Sequence, residues 1–362
     1  MTVRGALGRA VDRLEPRPRV VDWSLLALVA AEALTGLVSF VVATPDGWPV
    51  FWLHRSLGVA IVALLFFKLR RVRRNLTEPG RWRRSTALSV LAAVAALGAL
   101  ATGAAWVFGL DVRVSLWTLL SVHVAFGLLL LVVVPLHAAT RFRLPRRADV
   151  EGRRTALQYT ALFVAGAVTY RVQTALNTAL DTAGADRRFT GSQPREGEGN
   201  DAFPPTSWVA DDPEPVDRER YRLAVTGEVT DSLALPVEAV ASGEAERALL
   251  DCTSGWYTVQ DWRGVRVGDL LDAAGGTTED ASHVRFVSVT GYRWTLPVEE
   301  ARDALLATHV GGERLSHGHG APVRLVAPGR RGFQWVKWVT RVEVRPGPDP
   351  AQWVVTLVSG FD

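Results

Sequence analysis

The chain has 362 residues, enough for two domains, with 48% hydrophobic residues, 22% charged residues and a formal net charge of +4. That charge is unevenly divided: residues 1–180 carry 22 Lys+Arg against 9 Asp+Glu, a net of +13, while the remainder carries 19 against 28, a net of −9. The basic residues flank apolar runs instead of forming a patch on a soluble face, so they give no sign of a nucleic-acid partner and none is expected, and a single cysteine, Cys252, excludes an intramolecular disulfide.

Five apolar segments open the chain, at about 21–43, 49–67, 86–109, 115–137 and 155–176. Each approaches the roughly 20 residues a helix needs to cross a bilayer. They predict an all-α five-helix transmembrane bundle over residues 1–180. The fifth is the most polar, rich in Thr and Ala and closed by Arg171. Five arginines precede the first segment, eight positive residues lie from Lys68 to Arg84 and six from Arg141 to Arg154, whereas 44–48 and 110–114 are nearly uncharged. Positive loops stay inside. The expectation is a multi-pass cell-membrane protein with a cytoplasmic N-terminus and an extracytoplasmic C-terminal domain. Arg153 and Arg154, in GRRTALQ ahead of the fifth segment, resemble an internal twin-arginine export signal; ordinary positive-inside charge explains them equally.

Three histidines fall in these segments: His54, His123 and His137. Polar rings in hydrocarbon are costly and usually face a bundle interior with a function. His54 and His123 lie at similar depth near the outer ends of the second and fourth segments, and a facing pair of imidazoles suits the axial positions of a haem b. His137 follows His123 by 14 residues, about 21 Å along one helical face, a spacing similar to that of di-haem cytochromes b. Lys68 stands 14 residues after His54, so a second haem on His137 lacks a partner. The expectation is one haem, with His137 the ligand of a possible second.

Residues 181–215, rich in Gly, Pro, Asp and Glu, read as a linker and docking segment. From 216 to 362 the pattern is α+β. YRLAVTGEV, HVRFVSVTG, APVRLVAP and WVTRVEVRP are short β-rich runs bounded by Gly or Pro, and 265–274 and 297–307 have helical spacing. No internal repeat is evident.

Taken alone, Cys252 reads as a small buried hydrophobe. Its surroundings change that. YRLAVTGEVTDSLALPVEAV, then LDCTSGWYTVQDWRGVRVGDLL, then HGAPVRLVAPGRRGFQWVKWVTRVEV come in an order that resembles the molybdopterin domain of sulfite oxidases. They are more similar still to the periplasmic protein-methionine-sulfoxide reductase catalytic subunit. The resemblance covers about 150 residues and excludes the membrane half. It implies a Mo-molybdopterin cofactor with Cys252 as the molybdenum ligand, since a soft thiolate suits such a metal. It also implies Asn200, Phe203 and Pro204 in a loop over the cofactor, Ser288 and His319 at further contact positions, and Arg324, Trp335, Val336 and Lys337 around the anionic tail. Tyr292, with Arg293, is a candidate for polar contact near the metal. Arg330 and Arg331 are candidates for a basic rim, or for an ordinary solvated loop. Where sulfite oxidases have a basic stretch after the cysteine, Thr253, Ser254, Gly255, Trp256 and Tyr257 follow here, which points away from a small dianion and toward a pocket lined by Trp256 and Tyr257 for a neutral or organic substrate. The expected activity is oxygen-atom transfer, preferably reduction of a small-molecule or protein-bound S-oxide or N-oxide, with electrons exchanged with the quinone pool through the haem. The alternatives are a sulfite-oxidase-like dehydrogenase feeding quinone, or a non-enzymatic electron carrier with an external partner-binding domain.

Overall fold

A computed structural model describes residues 15–83, 85–114, 117–141, 146, 153–207, 211–241 and 243–358. The chain divides into two compact units, Met1–Gln193 and Pro194–Asp362.

The first unit is helical: α1 Pro18–Ser39, α2 Trp48–Thr77, α3 Thr86–Val107, α4 Leu119–Arg141 and α5 Arg153–Ala179. Prolines in the first turn open α1 and α2, where no intrahelical N–H is needed. Helix α1 packs on α2, α3 on α4, and α5 on α2. Among the described residues four helical stretches, Pro18–Ser39, Pro45–Thr77, Thr86–Val107 and Leu119–Thr140, are long and apolar enough to cross a membrane. Their outward apolar side chains, such as Leu34, Phe66, Val94 and Val132, are exposed, as membrane association requires. The fifth segment does form a helix, but α5 is not among the four: its polar Thr, Gln, Asn and Arg content keeps it less apolar. After α5 the chain turns back onto α2 and α3. Asn177 Nδ2 donates to the Val107 carbonyl at 3.0 Å, Trp106 Nε1 donates to the Gly191 carbonyl at 2.9 Å, and Phe51 meets Phe189 edge-to-face at 5.5 Å.

The second unit is α+β. Its elements are β1 Leu223–Gly227, β2 Leu233–Leu235, α6 Val237–Ala241, β3 Ala245–Asp251, β4 Trp256–Arg266, α7 Val267–Ala273, β5 His283–Ser288, β6 Arg293–Pro297, α8 Val298–Asp303, β7 Leu305–Val310, β8 Glu313–Arg314, β9 Arg324–Val326, β10 Val339–Arg345 and α9 Gln352–Val358. One five-stranded sheet runs β2-β1-β10-β5-β6, with β10 parallel to β1 and the other pairs antiparallel. In the other sheet β7 pairs with β4, β8 and β9, and β4 forms a long hairpin with β3. Strand β4 alternates buried and exposed residues, with Trp256, Thr258, Gln260 and Trp262 facing inward. One apolar core joins the two sheets through Leu223, Leu250, Trp262, Phe286, Leu306, Leu325 and Val342.

Candidate active site

Cys252 sits in the turn of the β3–β4 hairpin. Its N–H donates to the Trp256 carbonyl at 2.8 Å, and the Gly255 N–H returns to the Cys252 carbonyl at 3.1 Å. Gly255 has φ +99°, which a side chain would strain. Gly332 lies directly behind: a Cβ there would stand 3.0 Å from Cys252 Cα. The segment after β9 can therefore approach the cysteine only because position 332 is glycine. The thiol is buried, 3.1 Å from Ser254 Oγ.

Two buried cations lie within electrostatic reach of this thiol, Arg324 and Lys337. Arg324 opens β9, donates from Nη1 to the His319 carbonyl at 3.2 Å, and stacks over the Trp262 and Trp335 rings at 5.5 and 5.9 Å. Its Nε is buried with no hydrogen-bond partner, and burial lowers its pKa to about 10. Lys337 donates to the Ser207 hydroxyl at 3.0 Å and the Gly318 carbonyl at 2.5 Å. Burial, then the charge of Arg324, lowers its pKa to about 7. Neither makes a salt bridge with a carboxylate among the described residues. Two buried cations and an unpaired guanidinium N–H form a site that an anion would complete.

The segment 200–207 lies over this pocket. Asn200 is fully engaged, donating from Nδ2 to Glu313 Oε2 and the Arg314 carbonyl and accepting from the Ser316 N–H. Phe203 is buried, with its ring 4.4 Å from His319 and 5.5 Å from Trp256. Pro204 follows, partly buried. His319 Nε2 donates to the Phe203 carbonyl at 3.0 Å, so Nδ1 accepts from the Ser316 hydroxyl at 2.7 Å. Burial, outweighing the bond to Phe203, lowers the His319 pKa to about 4; the ring is neutral and both its nitrogens are occupied. Trp335 and Val336 are buried walls, the indole donating to the Arg330 carbonyl and the Val336 carbonyl accepting from the Leu325 N–H. Ser288, at the end of β5, accepts from both the N–H and hydroxyl of Thr290. Thr290 lies near Asp211, a carboxyl raised by burial and within reach of Lys337. Tyr292 donates its hydroxyl to the Phe333 carbonyl at 2.5 Å, bracing the loop that carries Gly332.

The family model described as "Oxidoreductase molybdopterin binding domain" matches residues 210–353, the span that holds this thiol and both cations. Residues 210–353 are a molybdopterin-binding oxidoreductase domain. Mitochondrial sulfite oxidase from Homo sapiens is 34% identical over 123 residues, covering 31% of this chain and 23% of that protein. The protein-methionine-sulfoxide reductase catalytic subunit MsrP from Gluconobacter oxydans (strain 621H) is 30% identical over 155 residues, covering 37% and 49%. An uncharacterized oxidoreductase, YuiH, from Bacillus subtilis (strain 168) is 29% identical over 154 residues, covering 41% and 77%. The chain thus spans less than half the length of the sulfite oxidase and about half that of MsrP.

Within the molybdopterin domain two expectations change. Arg331 is neither a basic rim nor a solvated residue: it is buried, pairs through Nη1 with the buried Asp251 at 2.7 Å, and donates from Nη2 to the Cys252 carbonyl at 3.3 Å. Arg330 is held by both oxygens of Glu300, and Arg293 by Asp349 at 2.6 Å. Trp256 and Tyr257 do not line one pocket, because adjacent strand residues face opposite ways. Trp256 packs beneath Phe203 and donates to Thr206 Oγ1 at 3.2 Å. Ser207, Asp211, Asp251 and Gly332 are the site neighbours that sequence reasoning missed. Only Gly332 left a signal, as the glycine opening GFQWVK.

In the helical unit His54 and His123 meet edge to face, with ring centroids 6.1 Å apart. His54 Nδ1 lies 2.9 Å from Thr35 Oγ1 and 2.5 Å from Glu32 Oε2. The Thr35 hydroxyl donates to the Ala31 carbonyl, so both neighbours of Nδ1 accept and the ring proton is on Nδ1. His123 Nδ1 donates to the Ala99 carbonyl at 2.9 Å. Both rings therefore keep the Nε2 lone pair for another partner. Gly36 and Gly103 make room: a Cβ at either would stand 3.5 Å from His54 Cε1 or 3.0 Å from His123 Cε1. His137 lies 3.4 Å from Ser89 Oγ, and Lys68 pairs with Asp22 at 2.7 Å.

Proposed function

We propose that the chain is a membrane-bound oxidoreductase that transfers an oxygen atom at a molybdopterin cofactor and exchanges electrons with the quinone pool through one haem b. The observation that carries the first part is the Cys252 thiol within electrostatic reach of two buried cations, neither in a salt bridge among the described residues. In this reading Cys252 ligates molybdenum, while Arg324 and Lys337 hold the anionic tail against the Trp335–Lys337 segment. His319, by its bond to the Phe203 carbonyl, keeps the loop of Asn200, Phe203 and Pro204 over the cofactor. Ser288 and Tyr292 brace the far wall. When bound, the cofactor supplies the two-electron exchange of an oxygen atom. The protein residues bind it, exclude water and orient the substrate.

An S-oxide or N-oxide is the preferred substrate class. Arg331, which bonds the Cys252 carbonyl, has its charge matched by Asp251, and no basic stretch follows Cys252 to hold a dianion. The 34% identity to sulfite oxidase supports a second reading, oxidation of a substrate with electrons delivered to quinone.

The haem reading rests on His54 and His123. Two imidazoles bound to one metal atom at about 2 Å place their ring centroids roughly 6 Å apart, close to the 6.1 Å found here. Carbonyl and carboxylate acceptors on Nδ1 are the usual supports of a ligating histidine. The positive-inside pattern supports an extracytoplasmic molybdopterin domain.

The test is to reduce the purified full-length protein with a quinol and screen sulfoxides, N-oxides and sulfite for reoxidation of a b-type optical spectrum. Active protein without molybdenum refutes the cofactor reading. Absence of a reducible b-type spectrum refutes the haem reading.

A further inference from the structure

Two arginines in the helical unit make no ion pair with a carboxylate among the described residues. Arg55 follows His54 directly on α2. Its guanidinium lies 5.6 Å over the Tyr170 ring of α5, and among the described residues its side chain makes one long hydrogen bond, 3.5 Å, to the Phe189 carbonyl. Arg187 lies in the segment after α5 and donates from Nε to the Gly184 carbonyl at 3.1 Å. Its Nη1 is buried and has no hydrogen-bond partner. Burial, and then the neighbouring charge of Arg55, lowers the Arg187 pKa to about 10. Neither guanidinium is paired with a carboxylate among the described residues. Two half-buried like charges within electrostatic reach of each other are unfavourable until an anion joins them.

Their location identifies the anion. Arg55 adjoins one of the two facing histidines in sequence. The segment carrying Arg187 is fastened to α3 by the bond from Trp106 Nε1 to the Gly191 carbonyl, and a Cβ on Gly191 would stand 3.9 Å from Arg55 Nη2. Trp106 is three residues, about 4.5 Å, along α3 from Gly103, the glycine that faces His123. The segment carrying Arg187 and the Arg55 guanidinium therefore meet at the same end of α2 and α3 as the two histidines. A porphyrin held between those imidazoles carries two propionate carboxylates on one edge.

The geometry points to Arg55 and Arg187 as the binding site for the haem propionates, the second arginine being supplied by the segment that folds back after α5. This rests on the haem reading above. A guanidinium offers a carboxylate two parallel charge-assisted hydrogen bonds, and the buried Nη1 of Arg187 is a donor already facing away from solvent. A lipid headgroup phosphate would satisfy the same charges but would leave the haem unaffected.

The experiment uses the full-length protein with haem bound. Arg187→Gln and Arg55→Gln are purified beside wild type, the midpoint potential is titrated optically, and haem loss to an apoprotein acceptor is timed. Removing a positive charge beside the propionates favours the ferric state, so each midpoint falls. Haem loss accelerates roughly tenfold per lost charge-assisted pair. Arg187→Lys keeps the charge and returns the midpoint most of the way, which a merely structural role would not do. Unchanged midpoint and haem-loss rate in both glutamine variants overturn the proposal, and that is also the outcome if the arginines hold a lipid phosphate. A wild-type protein with no reducible b-type spectrum overturns it together with the haem reading, and is told apart because the wild type itself fails.

Discussion

Acidification should unfold the molybdopterin domain in part through one imidazole. His319 is buried and neutral, donating to Phe203 and accepting from Ser316, with Arg324 and Lys337 adding repulsion to any charged form. Its pKa falls from 6.5 to about 4. A depressed folded-state pKa means that the unfolded chain binds the proton first. Stability is therefore full above pH 6.5, is lost as pH falls from there to 4, and levels off below. For this group alone the loss between pH 7 and pH 4.5 is about 2 kcal/mol. His319→Gln places an amide that can still donate to Phe203 but does not titrate. Urea unfolding of the full-length protein in detergent, followed by tryptophan fluorescence at both pH values, gives the loss for each protein. Carboxylates contribute equally to both and cancel in the difference. Wild type should lose about 2 kcal/mol more than the variant. Equal losses in the two proteins refute the neutral, doubly bonded imidazole.

Other outcomes follow from the same geometry. Cys252→Ser should abolish turnover and lower bound molybdenum by metal analysis, with the b-type spectrum retained. Asp251→Ala leaves the Arg331 charge buried without its partner and should cost about 3–5 kcal/mol, read from the urea midpoint. Lys337, with a pKa near 7 before any anion binds, is a better anion donor when protonated; uptake of pterin cofactor by cofactor-free protein should be flat below pH 7 and fall above it, and a Lys337→Met variant should lose that dependence. Glu32→Gln removes the carboxylate on His54 Nδ1 and should raise the haem midpoint in an optical redox titration, because the carboxylate makes the imidazole a stronger donor to ferric iron.

Much of this was legible in the chain because it is local. Apolar length predicted five membrane-crossing helices, of which four are long and apolar enough among the described residues, and the runs around Leu223, His283, Arg324 and Val339 became strands near their expected positions. The fifth segment became a helix whose polar residues separate it from the others. The cysteine block and the GFQWVK block could be read from resemblance, yet the contact that joins them could not. Asp251 and Arg331 are 80 residues apart, and only folding places their charges together behind Cys252. The same holds for Glu32 and His54, on separate helices, and for Arg55 and Arg187. Charges at such separations are legible as residues but not as pairs, since periodicity reports which face a side chain occupies and not what lies opposite.

The paired glycines of the helical unit carry a consequence of their own. Gly36 on α1 faces His54 on α2, and Gly103 on α3 faces His123 on α4. Each half is a helical hairpin in which a glycine on the first helix makes way for a histidine on the second, 18 residues later in one case and 20 in the other. The bundle is thus two copies of one plan facing each other, although the two copies share no obvious run of sequence. A single such hairpin contains half of a two-histidine site, and two identical hairpins brought together would contain a whole one. A designed hairpin of the same pattern is a minimal route to the same site.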